Sequence, residues 1–262
     1  MPTALLTNDD GVNCGFFRLL VEACARHFDV VIAVPAYEQS WGGRSLSRHK
    51  TVTATPLSGF PGRGWKIDGT PTDCVNIALG NLLPALPDIV ISGINVGYNT
   101  TLPLLYCSGT VSAALEGSIW GLHAVAASQM LTDPLFEAIK EAQNTIPASL
   151  QPHLQYAADF TAEYALKLLA TPVTRYRVHN LNFPTNSAPT TPVARTIPAD
   201  LRLGSLFQPV ESKPALPPSL DGEQAFAFKF RHGKALPSPQ LTDRDALLAG
   251  RISISELDFS RL

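Results

Sequence analysis

The chain has 262 residues, 45% hydrophobic and 16% charged, enough to bury a sizeable core as one large domain or a domain with an appendage. A net charge of −2 leaves no surplus of Lys and Arg for a phosphate backbone, which excludes a nucleic-acid polymer but not a small phosphorylated ligand. No apolar stretch is long enough to span a bilayer, and the opening MPTALLTNDD lacks a secretory signal, so no membrane partner and a cytoplasmic location are expected.

In chain order, Thr3 to Thr7 is a short apolar run that stops at the turn signal NDDG. Residues Gly15 to His27 carry apolar side chains at helical spacing, and DVVIAVP is a β-branched run suited to a strand buried on both faces. Thr51 to Pro56 is a weaker strand. Cys74 to Leu83 reads as a helix with Thr72 or Asp73 as N-cap. DIVISGIN is the next buried strand, SGTVSAALEGSIWG a helix of small residues, and HAVAASQ a further strand. A polar amphipathic helix, Pro134 to Asn144, a second helix near Tyr156 to Leu169 and the strand RVHNLNFP follow. This alternation predicts an α/β fold with a doubly wound, mostly parallel sheet.

Beyond Pro184 the composition changes. Thr185 to Pro239 is rich in proline and holds short β-like pieces such as EQAFAFKFRH, which predicts an extended excursion, a hairpin able to pack on a partner subunit. The tail TDRDALLAGRISISELDF predicts a short helix and an alternating strand. The expected division is a catalytic core over 1–184 and an extended C-terminal oligomerisation segment over 185–262. The four cysteines, Cys14, Cys24, Cys74 and Cys107, include no CxxC pair and read as reduced, mostly buried thiols.

Alone, Asn-Asp-Asp-Gly is an ordinary turn. Its position after the first strand puts Asp9 and Asp10 at the edge where open α/β sheets bind ligands. With no basic residue nearby in sequence, the two carboxylates repel each other, and a hard divalent cation, Mg²⁺ or Mn²⁺, relieves that repulsion. The loop EQSWGGRSLS after the second strand adds the hydroxyl of Ser40, and SGINVGYN after DIVI adds the carboxamide of Asn95. Ser108, Gly109 and Thr110 open a helix whose free N–H groups suit an anion. An oxygen-only cation site facing a phosphate cradle suits metal-assisted phosphoester hydrolysis. GxxxxGK[ST], GxGxxG, GxSxG and HExxH patterns are absent, and Glu116 and His123 are further residues able to face the site.

LLTNDDG, the S-x-G-G loop, SGIN-x-G-x-N and SGTV-x-AA-x-EG in this order resemble the survival protein E (SurE) family. GTPTDCVNIAL, LNFP and TDRDALLAGRISIS extend the resemblance over most of the chain. The resemblance implies a Rossmann-like core with a β-hairpin and helix appendage that exchanges between subunits of a homodimer or homotetramer. It implies a metal-dependent 5′/3′-nucleotidase that hydrolyses nucleoside monophosphates, with Asp9, Asp10, Ser40 and Asn95 on the metal, Ser108, Gly109 and Thr110 on the phosphate, and Asn95 sharing in the developing charge. The expected chemistry is water attack on phosphorus, with Asp9 or Asp10 accepting a proton. Two stretches depart from the family pattern. The rim NTTLPLLYCSGTV has Thr101 at a glycine position and Cys107 inserted, and Pro134 to Pro152 is longer than the usual connection. The rival reading is a non-catalytic, Mg²⁺-dependent phosphate or nucleotide sensor resembling a receiver domain. It needs a phospho-accepting Asp at a third strand end and a distant Lys, for which the sequence offers no obvious counterpart.

Overall fold

The run Thr3–Thr7 forms strand β1, and Asp29–Pro35 forms β2 beside it in parallel register, with Leu5 opposite Val31. Alternate residues of β2 enter different cores: Ile32 and Val34 pack on one face, Val31 and Ala33 on the other. A strand covered on both sides has no polar face, which is why its sequence is a continuous apolar run. The structure, a computed structural model, describes residues 1–210 and 224–261. Residues 211–223, part of the predicted proline-rich excursion, lie outside the described residues.

Helix α1 (Gly15–Cys24) buries Phe16, Phe17 and Leu20 and leaves Arg18 exposed. Strands β3 (Ala54–Pro56) and β4 (Arg63–Ile67) follow, then helix α2 (Pro71–Ile77), which passes into a π-helical turn at Ala78–Leu82. The α2 cap is Thr70, not Thr72 or Asp73. Thr70 and Asp73 exchange side-chain and backbone hydrogen bonds in a capping box, and Pro71 takes the first position, where no intrahelical N–H is needed. Strand β5 (Ile89–Val96), a one-and-a-half-turn helix α3 (Leu102–Cys107), helix α4 (Gly109–Ile119) and strand β6 (His123–Gln129) complete the first half. Helices α5 (Asp133–Glu141) and α6 (Gln151–Leu168) precede strand β7 (Arg177–Phe183).

The excursion does not simply leave the core. Strand β8 (Val193–Thr196) returns to the main sheet, after which β9 (Leu201–Arg202), β10 (Phe207–Pro209), β11 (Phe226–Phe228) and β12 (Lys234–Ala235) form two short antiparallel pairs, β10 with β11 and β9 with β12. Helix α7 (Asp243–Leu248) leads to β13 (Ile252–Asp258). The main sheet has nine strands in the order β3-β4-β2-β1-β5-β6-β7-β13-β8. Strands β4, β2, β1, β5, β6 and β7 pair in parallel, whereas β3 and β13 run antiparallel to β4 and β7. Helices α1 and α6 contribute to one core, α2 and α4 to the other. The predicted doubly wound α/β architecture is thus the observed one.

Strand order reverses direction between β1 and β5, the switch point where loops diverge and open a crevice. The tail reaches back to this edge. Asp243, fully buried, accepts hydrogen bonds from Thr101 N (3.0 Å), Ala199 N (2.9 Å) and Arg244 N (2.7 Å). Thr101 adopts φ 71°, a backbone conformation that glycine takes at far lower cost. Replacing Asp243 by Ala, which orphans those donors, is expected to cost about 2–4 kcal/mol in urea unfolding. Thr101→Gly is expected to gain about 1 kcal/mol in the same measurement.

Candidate active site

NDDG forms a turn that buries two adjacent carboxylates. Asn8 closes the turn: its Oδ1 accepts from Gly11 N (3.1 Å) and its amide donates to Gly11 O (3.0 Å), which frees the two aspartates to point elsewhere. Asp9 and Asp10 are only 5% and 6% exposed. Asp9 Oδ1 accepts from the Thr110 hydroxyl at 2.6 Å, and its main-chain oxygen accepts from Gln39 N at 2.8 Å, so the loop after β2 is tied to it. The start of α4 lies so close that a Cβ on Gly109 would stand 2.8 Å from Asp9 Cβ, so no larger residue fits there without a shift. Asp10 Oδ2 accepts from Val96 N at 2.8 Å.

The other Asp10 oxygen meets a partner the sequence concealed. Lys140 Nζ, from α5, donates to Asp10 Oδ1 at 2.8 Å and lies 3.2 Å from Glu38 Oε1. Ser40 Oγ donates to the same Glu38 oxygen at 2.6 Å. The aspartate pair therefore does have a basic neighbour, 130 residues away in sequence and beside it in space. Burial raises the Asp9 carboxyl from its ordinary 3.8 to about 7, reinforced by the charge of Asp10 and opposed by Thr110 and Lys140. Burial likewise raises Asp10, against the pull of Lys140. For Lys140, burial works downward, and Asp10 and Glu38 outweigh it, so the ammonium is held above the usual lysine range.

A cleft of about 660 Å³ opens at this edge, lined by Asp9, Ser40, Asn95, Ser108 and Lys140 among others. Asn95 gets there through an irregularity in β5. Gly93 has φ +134°, and any Cβ would meet Ala127 O at 2.3 Å, so the register with β6 shifts between Ser92 and Asn95. Ser108 caps α4 by accepting from Val111 N at 3.0 Å. Gly109 and Thr110 lie behind Asp9 and do not line the cleft. Asp10 likewise faces Lys140 from beneath. Four of the seven sequence-predicted residues thus share one cleft wall, and the other three contact or adjoin it.

Glu116 and His123 do not reach the cleft. Glu116 is buried and binds Arg44 (2.6 Å), Asn76 (2.8 Å) and Trp120 (3.2 Å), which anchors the S-x-G-G loop and α2 to α4. His123 begins β6, at the opposite end of the strand from the cleft. Asn99, named in the SGINVGYN motif without a role, is fixed by buried polar groups: its N–H donates to Asn182 Oδ1 (2.8 Å), its side chain to Ser128 Oγ (2.9 Å), and its carbonyl accepts from Asn180 and Asn182. Cys107 is half-buried at the cleft, and Cys14, Cys24 and Cys74 are buried free thiols.

The remaining wall is aromatic. Trp41 meets Phe228 edge-on with ring centroids 5.0 Å apart and Phe230 at 5.9 Å, and Phe136 lines the same cleft. Hairpin residues of the excursion thus fold over the cleft of their own chain.

The donor set fits a hard cation. Among the described residues no group of three or more His, Cys, Asp or Glu is arranged for a metal ion, so one held here would draw on Asp9 and Asp10 together with neutral oxygens such as Ser40 and Asn95. Among the described residues no helix is long and apolar enough to cross a membrane.

The family model described as survival protein SurE matches residues 4–200. The chain belongs to that family. It is 41% identical over 206 residues to the 5′-nucleotidase SurE of Solidesulfovibrio magneticus, covering 75% of this chain and 69% of that protein. It is 35% identical over 184 residues to the 5′-nucleotidase SurE of Trichormus variabilis, covering 69% of this chain and 63% of the relative. With the SurE of Geobacter metallireducens the match is 44% over 124 residues, about half of either chain (47% and 48%). The crystal structure of the SurE protein from Aquifex aeolicus superposes with a TM-score of 0.72 at 25% identity, covering 98% of this chain and 93% of that one.

The raised Asp9 carboxyl gives the SurE cleft a pH signature. Folding takes up a proton there between the ordinary 3.8 and about 7, so metal-free stability is expected to fall as pH rises through that window. A cation needs the carboxylate, so Mn²⁺ affinity is expected to rise with pH and level off above about 7. Calorimetry in two buffers of different ionisation heat checks this, with proton release on binding at pH 6 and little at pH 8.

Proposed function

We propose that this protein is a divalent-metal-dependent 5′/3′-nucleotidase, a phosphomonoesterase that converts nucleoside monophosphates to nucleoside and phosphate. The observation that carries the reading is the buried pair Asp9 and Asp10 beside a cleft that also receives Ser40, Asn95 and the first turn of α4. Membership of a family whose relatives are named 5′-nucleotidase supports the substrate class.

Asp9, Asp10, Ser40 and Asn95 would hold the cation, Mg²⁺ or Mn²⁺. When bound, it supplies charge neutralisation to the phosphoryl oxygens and acidifies a water. The chain's own groups do the rest. The start of α4, opened by Ser108, Gly109 and Thr110, turns the positive end of its dipole to the phosphate, with Ser108 at the cleft. Asn95 donates to the equatorial oxygens as charge grows there. Thr110 fixes Asp9 with one oxygen engaged, and Asp9 accepts the proton of the attacking water. Trp41, Phe136, Phe228 and Phe230 give the nucleoside an apolar wall and exclude water.

The exposed faces of Phe207 and Phe226 on the β10–β11 pair suit the proposed association into a homodimer or homotetramer through residues 185–262. The sensor reading gains a lysine from Lys140, but the end of β5 offers Asn95 in place of an acidic phospho-acceptor. The enzyme is therefore the reading supported.

Asp9→Asn is expected to abolish phosphate release from a panel of nucleoside monophosphates, by about 10³-fold or more, with the melting temperature retained. Chelator should abolish release by the parent protein, and chelator-resistant or undiminished activity would sink the metal reading. Trp41→Ala is expected to raise KM for nucleoside monophosphates by about tenfold while leaving that for an aryl phosphate within about twofold.

A further inference from the structure

The α5 helix brings one lysine to the acidic centre, and nothing in the proposed hydrolysis uses it. Ile139 is fully buried in the core beside α1 and α6, and Phe136 lies one turn before Lys140 with its ring 5.7 Å from the ammonium. These contacts aim the Lys140 side chain, only 21% exposed, at an Asp10 side chain that is 1% exposed. Its ammonium stands between Asp10 and Glu38, and Glu38 in turn accepts from Ser40, so a chain of hydrogen bonds runs from the loop after β2 through Lys140 to the loop after β1.

We propose that Lys140 is a tethered cation that competes with the divalent metal for Asp10 and so sets the metal affinity of the site. The inference rests on the metal-centre reading above. Three carboxylates, Asp9, Asp10 and Glu38, converge here against one ammonium, leaving two negative charges for one dication. A metal taking the Asp10 oxygen at 2.8 Å from Nζ pushes the ammonium away, because the two cations repel each other at that separation. Glu38, 43% exposed and already 3.2 Å away, keeps the displaced ammonium at the cleft wall. Lys140 acts through the metal ligand and is a positioning residue.

The test is a calorimetric Mn²⁺ titration of chelator-stripped parent protein, Lys140→Met, Lys140→Gln and Lys140→Arg at pH 8, with melting temperatures in chelator. Removing the competing charge is expected to tighten Mn²⁺ binding by roughly tenfold in both uncharged variants, and Lys140→Arg to keep the parent value within about threefold. In chelator, Lys140→Met should melt about 3–6 °C lower because the carboxylates lose their counter-ion, and Mn²⁺ should then produce a larger upward shift than in the parent. Lys140→Gln keeps a donor to Asp10 and serves if the Met variant does not fold. Mn²⁺ affinity in the uncharged variants equal to or weaker than the parent's overturns the proposal while leaving the metal centre intact. If neither parent nor variants bind Mn²⁺, the metal-centre reading falls and the proposal with it.

Discussion

Burying two adjacent carboxylates at the carboxyl edge of a parallel sheet is expensive unless positive charge arrives with them, because neither water nor a high dielectric is at hand to spread their field. Asp9 and Asp10 meet that constraint at the switch point between β1 and β5. Much of the surrounding structure answers it. Thr110 and Val96 N each donate to one carboxylate oxygen, the helix α4 turns its positive end to the pair, and Lys140 reaches in from the other face. The proposed metal ion would complete the same electrostatic balance, so the contacts that offset the buried charge would also prepare the cleft to receive it.

That balance requires backbones to approach closely, and the sequence supplies room where it is needed. Gly109 lets the start of α4 touch Asp9, and Gly93 lets β5 bend against Ala127 so that Asn95 turns into the cleft. Where no glycine is present, other interactions hold the chain: Thr101 keeps its unfavourable φ because the tail residue Asp243 grips its amide. The Asn99 network does the same for the loop between them, using three polar side chains of β6 and β7 in place of water.

Strands β1, β2, β5 and β6 were legible because burial on both faces leaves continuous apolar runs in the sequence. Strand β4 was not, since RGWKI contains a charge pattern and a glycine at position 64, where a Cβ would stand 2.6 Å from Ile32 Cβ. Helix α3 was hidden by its brevity, and β8 by the prolines around it. At the cleft, Asp9, Ser40, Asn95 and Ser108 could be grouped because each ends or follows a strand or opens a helix. The cap of α2 was misread by two or three residues because Thr72, Asp73 and Thr70 all carry capping oxygens. Lys140 escaped because sequence proximity says nothing about which face of a later helix meets an earlier loop. The amphipathic pattern of α5, with Phe136 and Ile139 inward, was the available signal, and it marked Lys140 as flanking the buried stripe.

Strand β13 lies between β7 and β8 in the main sheet although both precede it in the chain. During synthesis β7 and β8 emerge first and cannot pair with each other in the final arrangement. Their edges stay open until residues 252–258 clear the ribosome and slip between them. The grip of Asp243 on the cleft rim arrives in the same interval. A nascent chain therefore carries its aspartate pair early and acquires a finished rim only once residues 243–258 have emerged, with the exposed β7 edge as its aggregation hazard until then.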